Sequence, residues 1–170
     1  MKVIILIKDF SEAILDSFIK ESKKLAILCA GNILLGDDSA GVLVCRRFED
    51  IKHECVRIFN AYQVPELYIS KIIESDFTHV LYIDSVDISK DPGSLVFLDI
   101  DDLPSMRFST HKIPERFLLD MIRKSRKKIL IIGIQIQKIE LGGKISPAVF
   151  QATVELGNMI LKYLKKYKNI

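Results

Sequence analysis

LAILCAGNILLGDDSAGVLVC, Leu25 to Cys45, joins a run of apolar residues to a glycine-bounded loop and then to a second apolar segment with helical spacing. The run Leu25–Ala30 has no polar alternation, the pattern of a strand covered on both faces. Gly31 and Gly36 hold the glycine positions of a phosphate-binding loop, G-x-x-x-x-G-K-[ST], between a strand and a helix. Asp37 and Asp38, however, stand where that loop has lysine and a hydroxyl residue, and two carboxylates repel a phosphate. One aspartate at a helix start has an ordinary use, accepting free N–H groups and complementing the helix dipole. A second in succession is left for another task.

Working outward, similar Ile-, Val- and Leu-rich runs recur at 55–59, 79–83, 94–98 and 129–136. Helix-period segments lie between or beside them at 39–50, about 65–74, 113–124 and 147–166, and a further one at 11–22 opens with Asp9 and Ser11 as cap candidates. Strands alternating with helices predict a three-layer α/β/α sandwich on a mainly parallel sheet of about five strands. The link SVDISKDPG, residues 85–93, is shorter than the dozen or so residues of a parallel crossover, so the run at 94–98 is expected antiparallel and the sheet mixed. No repeat or linker divides the chain. It is expected to form one α/β domain over 1–170, with 1–23 as an extension carrying an added amphipathic helix and 24–170 as the body.

The chain has 170 residues, with 25 basic against 22 acidic side chains. A formal charge of +3, dispersed along the chain, predicts no nucleic-acid partner. The opening MKVIILIKDF carries too short an apolar run for a signal peptide, and no segment reaches the roughly 20 apolar residues of a membrane span. A cytoplasmic protein with no membrane partner is expected. Cys29, Cys45 and Cys55 are odd in number and lack C-x-x-C spacing, so reduced, buried thiols are expected.

Asp84 ends the run HVLYID at the carboxyl end of its predicted strand. If that strand neighbours Leu25–Ala30, Asp38 and Asp84 emerge on one edge of the sheet, about 4.8 Å being the spacing of adjacent strands. Open α/β sheets bind ligands at that edge. Two carboxylates so close either raise one pKa or share a cation. Of the three histidines, His53 reads as a surface residue of a polar turn. His79 lies at the wrong end of its strand. His111 closes the long irregular stretch IDDLPSMRFSTH, ahead of a helix with Pro114 in its first turn. Asp38, Asp84 and His111 would offer two hard oxygens and one imidazole, a set suited to Zn, Ni, Co or Mn that a water or a partner must complete.

These residues resemble the [NiFe] hydrogenase maturation endopeptidases, most closely the HycI-type branch. The resemblance runs from GNILLGDDSAG through YIDSVDISKDPG and the S-T-H-x-x-P of 109–114 to ISPAVFQATVELGNMIL, roughly residues 25–165. It implies an endopeptidase that removes the C-terminal extension of a hydrogenase large-subunit precursor once nickel has been inserted. The substrate's nickel, bound transiently, is then the metal, with other divalent metals as stand-ins in vitro. The family's metal-contacting and catalytic positions match Asp38, Asp84 and His111. The loop lacks lysine, on this view, because its target is a cation. A metal-polarised carbonyl or metal-activated water would carry out the hydrolysis. One departure is Asn60-Ala61-Tyr62, where the family has an acid and a glycine pair. Two other readings use the same residues: a non-catalytic nickel-site checkpoint, and a receiver-like phosphoacceptor domain with Asp84 accepting phosphate.

Overall fold

The computed structural model describes residues 4–5, 8–98, 100 and 115–170. Its strands are β1 (Ile4–Ile5), β2 (Leu25–Ala30), β3 (Val56–Tyr62), β4 (His79–Val86), β5 (Leu95–Leu98) and β6 (Lys128–Gln135). Its helices are α1 (Lys8–Glu21), α2 (Ala40–Arg46), α3 (Glu66–Glu74), α4 (Glu115–Lys124) and α5 (Pro147–Lys168), with a 3-10 turn, Gly36–Ser39, leading into α2. They build one sheet in the order β1-β5-β6-β4-β2-β3. Strands β3, β2, β4 and β6 are parallel, β5 is antiparallel to β6, and β1 is antiparallel to β5.

The five strands expected from the apolar runs are present, and the 94–98 run is antiparallel, as its short connection requires. The sixth strand, β1, adds only two residues at the edge. Strands β2 and β4 are buried along their whole length, which explains their unbroken apolar sequence. Period-two alternation sends Ile27, Leu81, Ile83 and Ile132 to one face, under Leu15 and Ile19 of α1, Val44 of α2, and Leu156 and Ile160 of α5. Leu28, Val80, Tyr82 and Ile131 face the other way, against Ile69 and Ile72 of α3 and Leu118 and Ile122 of α4. Helices thus cover both faces, in the expected three layers.

Helix α1 begins earlier than its sequence pattern indicates, so Asp9 and Ser11 lie inside it instead of capping it. It packs along α5. Lys162 pairs with Glu12 at 3.3 Å and Lys166 with Asp16 at 3.1 Å, but such exposed pairs contribute at most about 1 kcal/mol each. Burial of Leu15 and Ile19, at about 2 kcal/mol each, is the stronger tie. Helix α2 stops at Arg46, short of the expected 50, because the amides of Arg47, Phe48 and Ile51 each turn back to the carbonyl three residues earlier.

The cysteine expectation is overturned at two positions. Cys29 of β2 and Cys45 of α2 form a disulfide, with their Cα atoms 6.0 Å apart, and Cys55 is the free thiol. Packing α2 directly on β2 brings together residues that no spacing rule pairs.

Candidate active site

The chain leaves β2 for β3 on one side and returns to β4 on the other, so strand order reverses between β2 and β4. The β2–β4 ladder ends at Cys29 and Ile83, whereas β4 continues along β6 to Val86. Asp84 is therefore the first residue of β4 beyond the reach of β2, inside its strand instead of at its end. The loop from β2 to α2 fills the crevice this mismatch opens, the usual ligand position of an open α/β sheet.

Two glycines allow that loop to fold so tightly. A Cβ on Gly31, whose φ is +137°, would lie 2.2 Å from the carbonyl oxygen of Asp38. A Cβ on Gly41 would meet the carbonyl oxygen of Ala30 at 2.3 Å and that of Ile83 at 2.7 Å, so α2 starts against the two strand ends. The Asn32 amide donates to the Asp38 carbonyl at 3.0 Å and completes the turn.

The two adjacent aspartates have separate partners. Asp37 Oδ2 accepts the amides of Gln137 at 2.8 Å and Lys138 at 3.0 Å and the Ser146 hydroxyl at 2.9 Å; Oδ1 accepts the Ser146 amide at 2.6 Å. Burial raises the Asp37 carboxyl, but the amides of Ser146, Lys138 and Gln137 and the Ser146 hydroxyl outweigh it and hold the group below the usual carboxylate range. Asp37 is a clasp that ties the β6–α5 connection to the loop after β2. A further bond, from the Gly142 amide to the Leu34 carbonyl at 2.7 Å, closes the same junction.

Asp38 turns toward β4. Its Oδ1 accepts the Ser85 hydroxyl at 2.7 Å, while the Ser85 amide donates to Asp84 Oδ1, also at 2.7 Å. Asp84 Oδ2 accepts the Tyr82 hydroxyl at 3.0 Å. Asp38, Asp84 and Ser85 are all fully buried. Ser85 thus links the two carboxylates predicted to act together. Sequence reasoning missed Tyr82, although period two places it on the face of Asp84. Ser146 was missed as well, although a serine before Pro147 is a helix-start signal.

His79 begins β4 at the end away from Asp84, edge-on to Phe18 with 4.9 Å between ring centroids. Burial, and next the Lys128 charge, lower its pKa from the ordinary 6.5. His53 is half-buried in the turn before β3 and accepts the Cys55 amide at 3.2 Å. His111 lies outside the described residues. Among those that are described, no three His, Cys, Asp or Glu side chains converge as a metal site. Asp38 and Asp84 are two hard oxygen donors that fit a divalent cation supplied with further ligands.

A cleft of about 540 Å³, lined by Lys24, His53, Arg57, Asp76 and others, lies at the amino end of the sheet, away from these carboxylates. Tyr62, at the end of β3, has a left-handed backbone with φ of 51°, a conformation that favours glycine. No described helix is long and apolar enough to cross a membrane.

Comparison with known proteins agrees with this fold. The family model for HycI, hydrogenase maturation protease, matches residues 42–163, a span that includes Asp84 and begins four residues after Asp38. The Methanocaldococcus jannaschii protein MJ0631, named for the same activity, is 30% identical over 166 residues, covering 92% of this chain and 97% of its own length. The hydrogenase 3 maturation protease of Escherichia coli is 30% identical over 110 residues, or 64% of this chain and 70% of that protein. The crystal structure of the [NiFe] hydrogenase maturation protease HycI from Thermococcus kodakarensis superposes with a TM-score of 0.81 at 27% identity, covering 89% of this chain and 99% of that one. With its mixed α/β/α sandwich and these matches, this chain belongs to the HycI hydrogenase maturation protease family, whose members are peptide-bond hydrolases.

Proposed function

We propose that this protease removes the C-terminal extension of a [NiFe] hydrogenase large-subunit precursor after nickel insertion, and that Asp38, Asp84 and His111 contact the precursor's nickel. The observation that carries this reading is the pair of buried carboxylates linked through Ser85 at the strand-order switch. Two carboxylates offer hard oxygen donors, the ligand type a divalent metal brought by the substrate accepts. Nickel in this scheme is part of the substrate. The enzyme's aspartates bind and orient it, and so hold the scissile peptide near the crevice.

The rim of the crevice suits a protein substrate. Ile33 and Leu34 after β2, Val64 and Leu67 after β3, and Ile139 and Leu141 after β6 are exposed apolar side chains on the loops and first helical turn at the carboxyl ends of their strands. A small hydrophilic ligand has no use for such a rim, whereas an apolar protein surface gains from burying it. The reaction belongs in the cytoplasm, where the precursor is synthesised.

The test uses nickel-loaded and nickel-free precursor, with loss of the tail followed by mass spectrometry. Cleavage of the loaded form alone is expected, and Asp38→Asn is expected to abolish it while leaving the melting temperature near that of the parent. Normal processing by Asp38→Asn overturns the assignment. Metal binding without cleavage of a matched precursor favours the checkpoint reading. The antiparallel β5 already sets this sheet apart from the all-parallel receiver domain.

A further inference from the structure

Two hydroxyl groups beside the candidate site have no packing reason to be there. Tyr82 is 1% exposed and packs in the apolar layer with Leu118 and Leu119, where a phenylalanine ring would fill the same space. Ser85 is fully buried, and an alanine would fit its position. A buried hydroxyl costs free energy unless it is hydrogen-bonded. Each of these two donates to a different aspartate: Ser85 to Asp38 Oδ1, and Tyr82 to Asp84 Oδ2.

We infer that Ser85 and Tyr82 are positioning residues for metal recognition, the first aiming Asp38 and the second aiming Asp84. The inference rests on the reading that these aspartates contact the substrate's nickel. The geometry gives the reason. A carboxylate swings through a broad torsional range about its last bond, and a hydrogen bond to one oxygen narrows that range. Asp84 is held at both oxygens, by the Ser85 amide and the Tyr82 hydroxyl. Asp38 lies on the 3-10 turn instead of a strand, and the Ser85 hydroxyl ties its carboxylate to β4. One serine therefore sets both carboxylates in a single frame, through its amide on one side and its hydroxyl on the other. Partners of this kind orient metal ligands, and their loss weakens metal affinity by about 10- to 100-fold in other proteins.

The alternative is that both hydroxyls only satisfy buried charge, in which case their removal lowers stability and leaves metal affinity alone. The experiment measures Ni²⁺ binding to the full chain by calorimetry, alongside melting temperature, for the parent, Ser85→Ala, Ser85→Thr, Tyr82→Phe and Asp38→Asn. Ser85→Ala and Tyr82→Phe are each expected to bind Ni²⁺ about 10-fold more weakly or worse. Ser85→Thr, which keeps the hydroxyl, should restore the parent's affinity. With nickel-loaded precursor, the same two losses should raise KM more than they lower kcat.

Asp38→Asn separates the two levels of the argument. If it binds Ni²⁺ as the parent does, the nickel-contact reading fails, and the positioning inference falls with it. If Asp38→Asn loses Ni²⁺ while Ser85→Ala and Tyr82→Phe keep parental affinity, the positioning inference alone is overturned. Equal weakening in Ser85→Thr and Ser85→Ala overturns the role of the Ser85 hydroxyl. Absence of Ni²⁺ binding by the parent chain overturns the inference as a whole.

Discussion

Asp37 and Ser146, 109 residues apart in the chain, are joined by two hydrogen bonds: the Ser146 amide donates to Asp37 Oδ1 at 2.6 Å and its hydroxyl to Oδ2 at 2.9 Å. With the Gln137 and Lys138 amides also donating to Oδ2, one carboxylate satisfies four donors of the β6–α5 connection. Asp37→Asn places an NH₂ group against some of those donors. A stability loss of about 3 kcal/mol is expected by denaturant unfolding. Ser146→Ala removes only the hydroxyl bond and should cost about 1 kcal/mol. Equal effects of the two substitutions would contradict the clasp.

Gly31→Ala tests the tightness of the loop. The added methyl group would overlap the Asp38 carbonyl, backbone that cannot rotate away, so Asp38 has to move. Processing of the precursor should fall steeply, and stability by about 2 kcal/mol. Gly142→Ala is the control: its φ of +72° is also left-handed, but no atom beyond its chain neighbours lies within 4 Å of the added carbon. It should cost only about 1 kcal/mol and leave processing intact.

The disulfide makes a prediction that needs no activity assay. Titration of the unfolded, unreduced protein should find one free thiol, Cys55, and prior reduction should raise the count to three. The bridge closes a loop with a sequence separation of 16, so reduction should lower stability by about 3 kcal/mol. Three thiols before reduction would show the bridge absent in the isolated protein.

His79 gives the fold a pH dependence near neutrality. Burial first, and the Lys128 and Lys168 charges next to the opposing effect of Glu21, leave its folded pKa below 6.5. The unfolded chain then binds the proton more readily. Stability should be full above pH 6.5, fall as pH drops below that value, and level off once the folded pKa is passed. His79→Gln should flatten that stretch of the stability–pH curve. A curve unchanged by the substitution would assign the slope to other groups.

Much of this fold is legible in the chain because its central strands are covered on both faces. That burial writes itself into Leu25–Ala30 and His79–Val86 as unbroken apolar sequence. The short link before Leu95 likewise announces an antiparallel strand. Less visible were the ends of elements. Helix α1 runs over its supposed caps, and α2 closes early through backbone turns that no residue type demands. The strand at Ile4–Ile5 is two residues long and depends on the β5 edge to exist.

The candidate site divides in the same way. Glycine spacing, a pair of acids and an aspartate late in a strand are local features, so the sequence by itself determined that Asp38 and Asp84 stand as candidates at the carboxyl edge of the sheet. Which aspartate does what was decided only by the tertiary structure. Asp37 and Asp38 are adjacent and chemically alike, yet the first meets four donors from the distant β6–α5 connection and the second meets Ser85 of β4. The pairing of Cys29 with Cys45, instead of either with Cys55, was decided there too. The physical reason is common to both: hydrogen bonds and disulfides act over a few ångströms in space, and only the packed chain determines which groups come that close.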